Sequence, residues 1–262
     1  MVAAAALAAA VLTAGCQTEI TIDSLFPKAE RPLPEDMTKA MKAKGMTAAS
    51  PIMLRIFKQE NVLEVWKQAD TGRYEKLKEY EICKWSGRLG PKFKEGDRQA
   101  PEGFYTINPW QMNPNSGYYL SFNLGFPNQF DRVHGRTGTH LMVHGACSSA
   151  GCYSMTDERM AEIFALAREA FGGGQKSFQV QAFPFRMTPK NMAEHKDHEH
   201  FAFWQMLKEG YDHFEITRNP PKINVCDGRY VFNRLAEDEK LFKPNQACPQ
   251  TTIPESLALA YG

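Results

Sequence analysis

His144 and Cys152 bracket the segment Met142-Val143-His144-Gly145-Ala146-Cys147-Ser148-Ser149-Ala150-Gly151-Cys152-Tyr153, where the reactive side chains of the chain are concentrated. A thiol attacks a carbonyl carbon well only as its thiolate, so a working Cys needs a nearby base or a positive potential. His144 can supply the base. Thr156, Asp157 and Glu158 read as the capped, acidic first turn of a helix. Cys152 is therefore expected near a helix N-terminus, whose partial positive charge favours thiolate. Small residues beside it leave backbone N–H groups able to point at a developing oxyanion.

Other polar residues invite weaker readings. Cys147 is open to three: an inert neighbour, a redox partner of Cys152, or a metal ligand shared with His144. The inert reading is the expectation. His140 lies at an even offset from His144, which in a strand puts both on one face. Arg136, in the glycine-containing loop 135–138, is a candidate for a substrate carboxylate, and Tyr153 beside the nucleophile is another substrate-side candidate. The run His195-Lys196-Asp197-His198-Glu199-His200 has no tight zinc spacing and reads as a solvated face. No metal or other cofactor is expected.

The elements that must hold this segment are mostly strands. Ile52–Phe57 and Val62–Trp66 flank Lys58-Gln59-Glu60-Asn61 as a hairpin. Short strands follow at Tyr80–Cys83, Phe104–Ile107, Tyr118–Leu124 and His140–Val143, the last running into His144. Met160, Ile163, Phe164, Ala167 and Phe171 share one helical face, closed by Gly172-Gly173-Gly174. Phe178–Phe183 alternates as a strand, a helical region opens at Thr188-Pro189 and runs to about Glu209, and His213–Thr217 reads as a last strand. Tyr118, Tyr119, Phe122 and Phe126 read as core aromatics, Trp204, Met206 and Leu207 as helix packing, and 186–210 as a candidate cap over the cleft. The fold class is α+β, a β-rich sandwich or barrel with peripheral helices.

The 262 residues carry 31 Lys plus Arg against 30 Asp plus Glu. This balance argues against nucleic acid as a partner. The apolar run Val2–Ala14 is too short to span a bilayer but suits a signal peptide. Leu12-Thr13-Ala14-Gly15-Cys16 resembles a lipobox, so residues 1–15 are expected to be removed and Cys16 to carry lipid. Residues 16–50, with Pro27, Pro32 and Pro34 and one short helix at Asp36–Lys44, read as a tether. The expected catalytic domain is 51–218, followed by a C-terminal extension, 219–262. Export permits disulfides, and a Cys226–Cys248 bridge is expected, with Cys83 and Cys147 also candidates.

The run His144-Gly145 … Ser149-Ala150-Gly151-Cys152 resembles the active-site signature of YkuD-type L,D-transpeptidases, particularly the YafK-like branch with its short His-to-Cys loop. Ala100-Pro101-Glu102-Gly103-Phe104-Tyr105 is similar to a strand entry of that family. The resemblance covers roughly 51–217. It implies Cys152 as acylated nucleophile, His144 as base, the Gly145 carbonyl orienting the imidazole, and the N–H groups of Gly151 and Cys152 as oxyanion hole. Ala150 stands where the broader family has a second His, and Tyr153 and Ser154 follow the Cys where an Arg is usual. The implied enzyme acts on diaminopimelate-bearing stem peptides of peptidoglycan by transfer or hydrolysis, with a wall-linked lipoprotein as a possible partner. The implied place is the periplasm, at the outer membrane through the lipid. The rival readings are a catalytically silent wall-binding lipoprotein and a thiol-redox or zinc protein.

Overall fold

The computed structural model describes residues 26–237 and 241–254. The expected leader and Cys16 lie outside them. The described chain begins with a turn at Pro27–Glu30 and helix α1 (Glu35–Ala43). Next come β1 (Ile52–Phe57), β2 (Val62–Gln68), β3 (Tyr74–Glu81), a short β4 (Lys84–Trp85) and β5 (Gly103–Ile107). A 3-10 turn at Pro109–Gln111 leads to β6 (Met112–Asn113), β7 (Ser121–Asn123) and the short helix α2 (Gln129–Val133). Then follow β8 (Met142–His144), β9 (Tyr153–Ser154), α3 (Asp157–Gly172), β10 (Phe178–Phe183), α4 (Pro189–Glu194) and α5 (Phe201–Thr217). A hairpin of β11 (Ile223–Cys226) and β12 (Arg229–Phe232) comes after them.

Two open five-stranded sheets carry the fold. The first runs β3-β2-β1-β10-β5 and the second β4-β9-β8-β7-β6. The β1–β10 and β8–β9 pairs are parallel and the other pairs antiparallel. Neither sheet closes into a barrel. β1 is buried along its whole length because both its faces are covered. Leu54 and Ile56 meet Phe122, Val143 and Tyr153 of the second sheet and Ile163 and Phe164 of α3, while Phe57 turns to a core with Trp204, Leu207 and Tyr211 of α5.

Helix α3 forms because its apolar residues recur at helical spacing and its first turn is capped, with Thr156 Oγ1 accepting from the Arg159 N–H. It ends at glycines for a steric reason. A Cβ on Gly173 would stand 2.3 Å from the Ala49 carbonyl oxygen. Among the described residues no helix is long and apolar enough to cross a membrane.

Several boundaries move. Residues 29–46, expected within the tether, pack on the domain: Met37, Met41 and Met46 are buried in the main core and Arg168 of α3 donates to the carbonyls of Ala29 and Arg31. The C-terminal extension is not a separate tail either. Tyr230 and Phe232 pack edge-on against Phe104 of β5, and Cys226 is bridged to Cys248. His213–Thr217, read as a strand, is the last turn of α5. Phe214 continues the buried stripe of Trp204, Leu207 and Tyr211 on that helix.

Candidate active site

The second sheet places the reactive residues through register. Ser121 of β7 faces His144 of β8, which pairs with Ser154 of β9, and Asn113 of β6 faces Ser121. Paired residues share a face of a sheet. Phe122, Val143 and Tyr153 fill the core from the opposite face, so Asn113, Ser121 and His144 lie together on the cleft side. Cys152, one residue before Tyr153, joins them. His144 and Cys152 both line a cavity of about 570 Å³, with Tyr118, His140, Met142 and Ser149.

His144 is buried, and its Nδ1 lies 2.6 Å from the Gly145 carbonyl. With Nδ1–H donating to that oxygen, Nε2 carries the lone pair, the tautomer a general base needs. Burial pushes the imidazole pKa below its ordinary value, against a smaller opposing pull from Gly145. The ring of Tyr118 covers the imidazole at 4.7 Å between centroids. Tyr118 was expected in the core, but it is 53% exposed, on the loop before β7. Its nearness to His144 had no sequence signal beyond the turn residues Asn115-Ser116-Gly117.

Cys152 Sγ sits between two backbone groups, accepting from the Met142 N–H at 3.4 Å and lying 3.7 Å from the His140 carbonyl oxygen. Burial raises the thiol pKa, opposed by the Met142 N–H and the charge of Lys92. The helix expected beside Cys152 lies elsewhere, since β9 intervenes before α3. The α3 end instead meets the other limb of the loop, where the Ala146 N–H donates to Asp157 Oδ1 at 2.7 Å. Both groups are thus shifted toward their neutral forms.

The loop between them is tightly fixed. A Cβ on Gly145 would meet Asp157 Oδ1 at 2.6 Å, which is why glycine follows His144. Ala146 and Cys147 have positive φ, and Cys147 is joined to Cys83 by a disulfide. That bridge corrects the reading of Cys147 as an inert thiol, and it removes Cys147 both as redox partner of Cys152 and as metal ligand. Cys152 is the one free cysteine among the described residues. Ser149 Oγ donates to the Cys152 carbonyl at 2.7 Å and accepts from the Gly151 N–H at 3.4 Å, so in the expected oxyanion hole the Gly151 donor rests on a hydroxyl.

The remaining candidates divide. His140 precedes β8 with φ +55°, so the strand-parity argument does not apply to it, yet it lines the cavity. Arg136 is turned inward, bound to Asp131 at 2.8 Å and packed among Phe93, Phe130 and Phe203, and it does not reach the cleft. Tyr153 is fully buried, donating through its hydroxyl to the Pro101 carbonyl. It therefore supports Cys152 from behind. The histidines of 195–200 stack on Phe185, Trp204 and Phe93, and α5 covers the first sheet on the side away from the cleft. The 186–210 segment is not a cap.

The family described as YkuD, the L,D-transpeptidase catalytic domain, matches residues 52–213. A protein of Escherichia coli strain K12 named "Putative L,D-transpeptidase YafK" is 45% identical over 213 residues, covering 81% of this chain and 85% of its own. Its counterpart from strain O157:H7 gives the same figures. Among solved structures, the helical cell shape determining protein Pgp2 of Campylobacter jejuni matches at 20% identity and TM-score 0.41, covering 73% of this chain and 80% of its own. Bd1075 of Bdellovibrio bacteriovorus matches at 22% identity and TM-score 0.36, over 63% of this chain and 61% of its own.

Proposed function

Since the chain belongs to the YkuD family of L,D-transpeptidase catalytic domains, we propose that it is a cysteine acyl-transfer enzyme acting on peptidoglycan stem peptides through Cys152 and His144. The observation that carries this reading is the meeting of the two side chains on one cavity, with Nδ1 of the base held by the Gly145 carbonyl.

His144 Nε2 takes the Cys152 proton as Sγ attacks the amide carbonyl of a diaminopimelate-bearing peptide. The tetrahedral oxyanion turns toward the N–H groups of Gly151 and Cys152, displacing the Ser149 hydroxyl from the former. The C–N bond breaks, the amine leaves with the proton from His144, and the acyl group remains on sulfur as a thioester. A second amine or water then loses a proton to His144 and attacks the thioester, and the thiol is released. An amine gives transpeptidation, and water gives hydrolysis, including release of a wall-linked lipoprotein. Lipid on Cys16 would hold the enzyme at the outer membrane.

The test uses protein beginning at residue 17, wild type and Cys152→Ala, with diaminopimelate-containing muropeptides, some bearing a linked lipoprotein peptide. Products are read by mass spectrometry. The expected result is a new cross-link or a hydrolysed amide with wild type and none with Cys152→Ala, a loss of at least about a thousandfold. Equal turnover by both proteins would overturn the assignment. No turnover by either, with retained wall binding, would favour the silent binding lipoprotein.

A further inference from the structure

Beside the catalytic cavity runs a larger groove of about 910 Å³, which shares Asn113, His140 and Met142 with it. A ligand can therefore lie in both at once. Trp110 stands on the groove wall with 80% of its surface exposed. An indole this exposed buries little by folding, but the turn that carries it is fixed. Pro109 opens the 3-10 turn, Gln111 Oε1 accepts from the Asn108 N–H at 2.9 Å, and Gln111 Nε2 donates to the Asn123 carbonyl at 2.8 Å.

The groove is otherwise polar and nearly uncharged. Gln111, Asn113 and Asn123 offer amides, and Arg132, whose Nη1 donates to the Pro127 carbonyl, is the one charged residue of its lining. Ser121 also lines it, and Ser121 Oγ is buried with no hydrogen-bond partner. An exposed indole on a fixed turn, amides and an unpartnered hydroxyl match a neutral polyhydroxylated ligand. The C–H face of a pyranose stacks on an indole, while its hydroxyl and acetamido groups exchange hydrogen bonds with amides. A charged peptide would find few counter-charges here.

We propose that this groove binds the N-acetylhexosamine strand from which the stem peptide hangs, with one sugar ring on Trp110, while the peptide lies in the cavity of Cys152. The inference rests on the peptidoglycan reading and gives that site a second substrate class, a saccharide. Pre-organisation of the turn lowers the ordering cost of binding.

The test compares a disaccharide-bearing stem peptide with the same peptide freed of sugar, in wild type, Trp110→Ala and Trp110→Tyr. Wild type is expected to show a lower KM for the sugar-bearing substrate. Trp110→Ala should raise that KM about threefold to tenfold, leave kcat and the KM of the free peptide unchanged, and be rescued largely by Trp110→Tyr. Separately, binding of chitotetraose to Cys152→Ala is followed by tryptophan fluorescence and calorimetry, and it should be lost with Trp110→Ala. Equal KM values for both substrates in wild type, or equal shifts of both in Trp110→Ala, would overturn the groove. Chitotetraose binding without turnover would sink the enzymatic reading and retain the groove. Turnover without a sugar effect would do the reverse.

Discussion

Lys58 and His144 are both buried polar residues at the end of a β-strand, and their surroundings differ in kind. Lys58 Nζ donates to the carbonyls of Arg88, Gly90 and Ala100 at 2.8–3.0 Å and to Glu102 Oε1 at 2.9 Å. Glu102 in turn accepts from the Gly90 N–H and from Trp204 Nε1. The carboxylate and the ammonium are both saturated. They tie the loop before β5 to β1 and to α5. Among the described residues the His144 ring makes one hydrogen bond, at Nδ1, and turns toward a cavity it shares with a single thiol. A saturated buried network specifies architecture, whereas one left short of partners is available for chemistry.

The largest effect should come from breaking the saturated side. Lys58→Met leaves the Glu102 carboxylate buried without its cation, a change that costs about 3–5 kcal/mol. Urea denaturation should show a midpoint lowered to match, and adding Glu102→Gln should recover part of the loss. Cys152→Ala should leave the midpoint in place while ending turnover. If Lys58→Met unfolds at the wild-type midpoint, the contrast between the two regions fails.

The second prediction sharpens the unsaturated side through pH. On the proposed mechanism His144 must be neutral to accept the thiol proton, and burial lowers its pKa from the ordinary value of about 6.5. Activity should therefore hold as pH falls through 6.5. It should decline about tenfold per pH unit only below the depressed value. The stability sign follows from the same shift. Above 6.5 His144 is neutral in both states and contributes nothing. Below it the unfolded chain takes the proton first, so stability is lost until the folded pKa is passed. A kcat/KM profile with its acid limb at or above 6.5 would show instead that burial does not depress the His144 pKa.

The same contrast governs what the sequence could reveal. The His144–Cys152 pair was legible because its parts lie in one short segment. The β1–β2 hairpin, β10 and α3 were legible because each is long enough to show a period. Strands β4, β6 and β9 have two residues each, too few for alternation to register, whereas β7 and β8 lie within or against the stretches 118–124 and 140–143 that read as strands. Lys58 reads as an ordinary turn residue, since its acceptors are carbonyls some 30–42 positions away. The Cys83–Cys147 bridge closes across 64 positions, and nothing local announces it. The misread strand at His213–Thr217 has a different cause. Within five residues Phe214 and Ile216 alternate, but from Trp204 onward the helical stripe dominates.

The smallest expected effect lies where the described chain begins. Lys28 Nζ donates to the carbonyls of Ser116, at 3.3 Å, and of Tyr119, and sits 5.5 Å from the centroid of the Tyr119 ring. Those carbonyls flank Tyr118, the residue that covers His144. Lys28 thus ties down the loop that covers His144, which makes it a candidate positioning residue for the proposed reaction. Lys28→Met keeps most of the side-chain bulk and removes the donor, so the fold should lose no more than about 1 kcal/mol. The site should register the change more clearly. With Tyr118 freer to lift, water reaches the imidazole and the burial that depresses its pKa weakens. The acid limb should then move up toward 6.5 and kcat fall severalfold, with the thermal midpoint nearly constant. An unmoved limb with unchanged kcat would show that the loop holds Tyr118 in place without the N-terminal strap, and that the exposure of His144 is set within the second sheet alone.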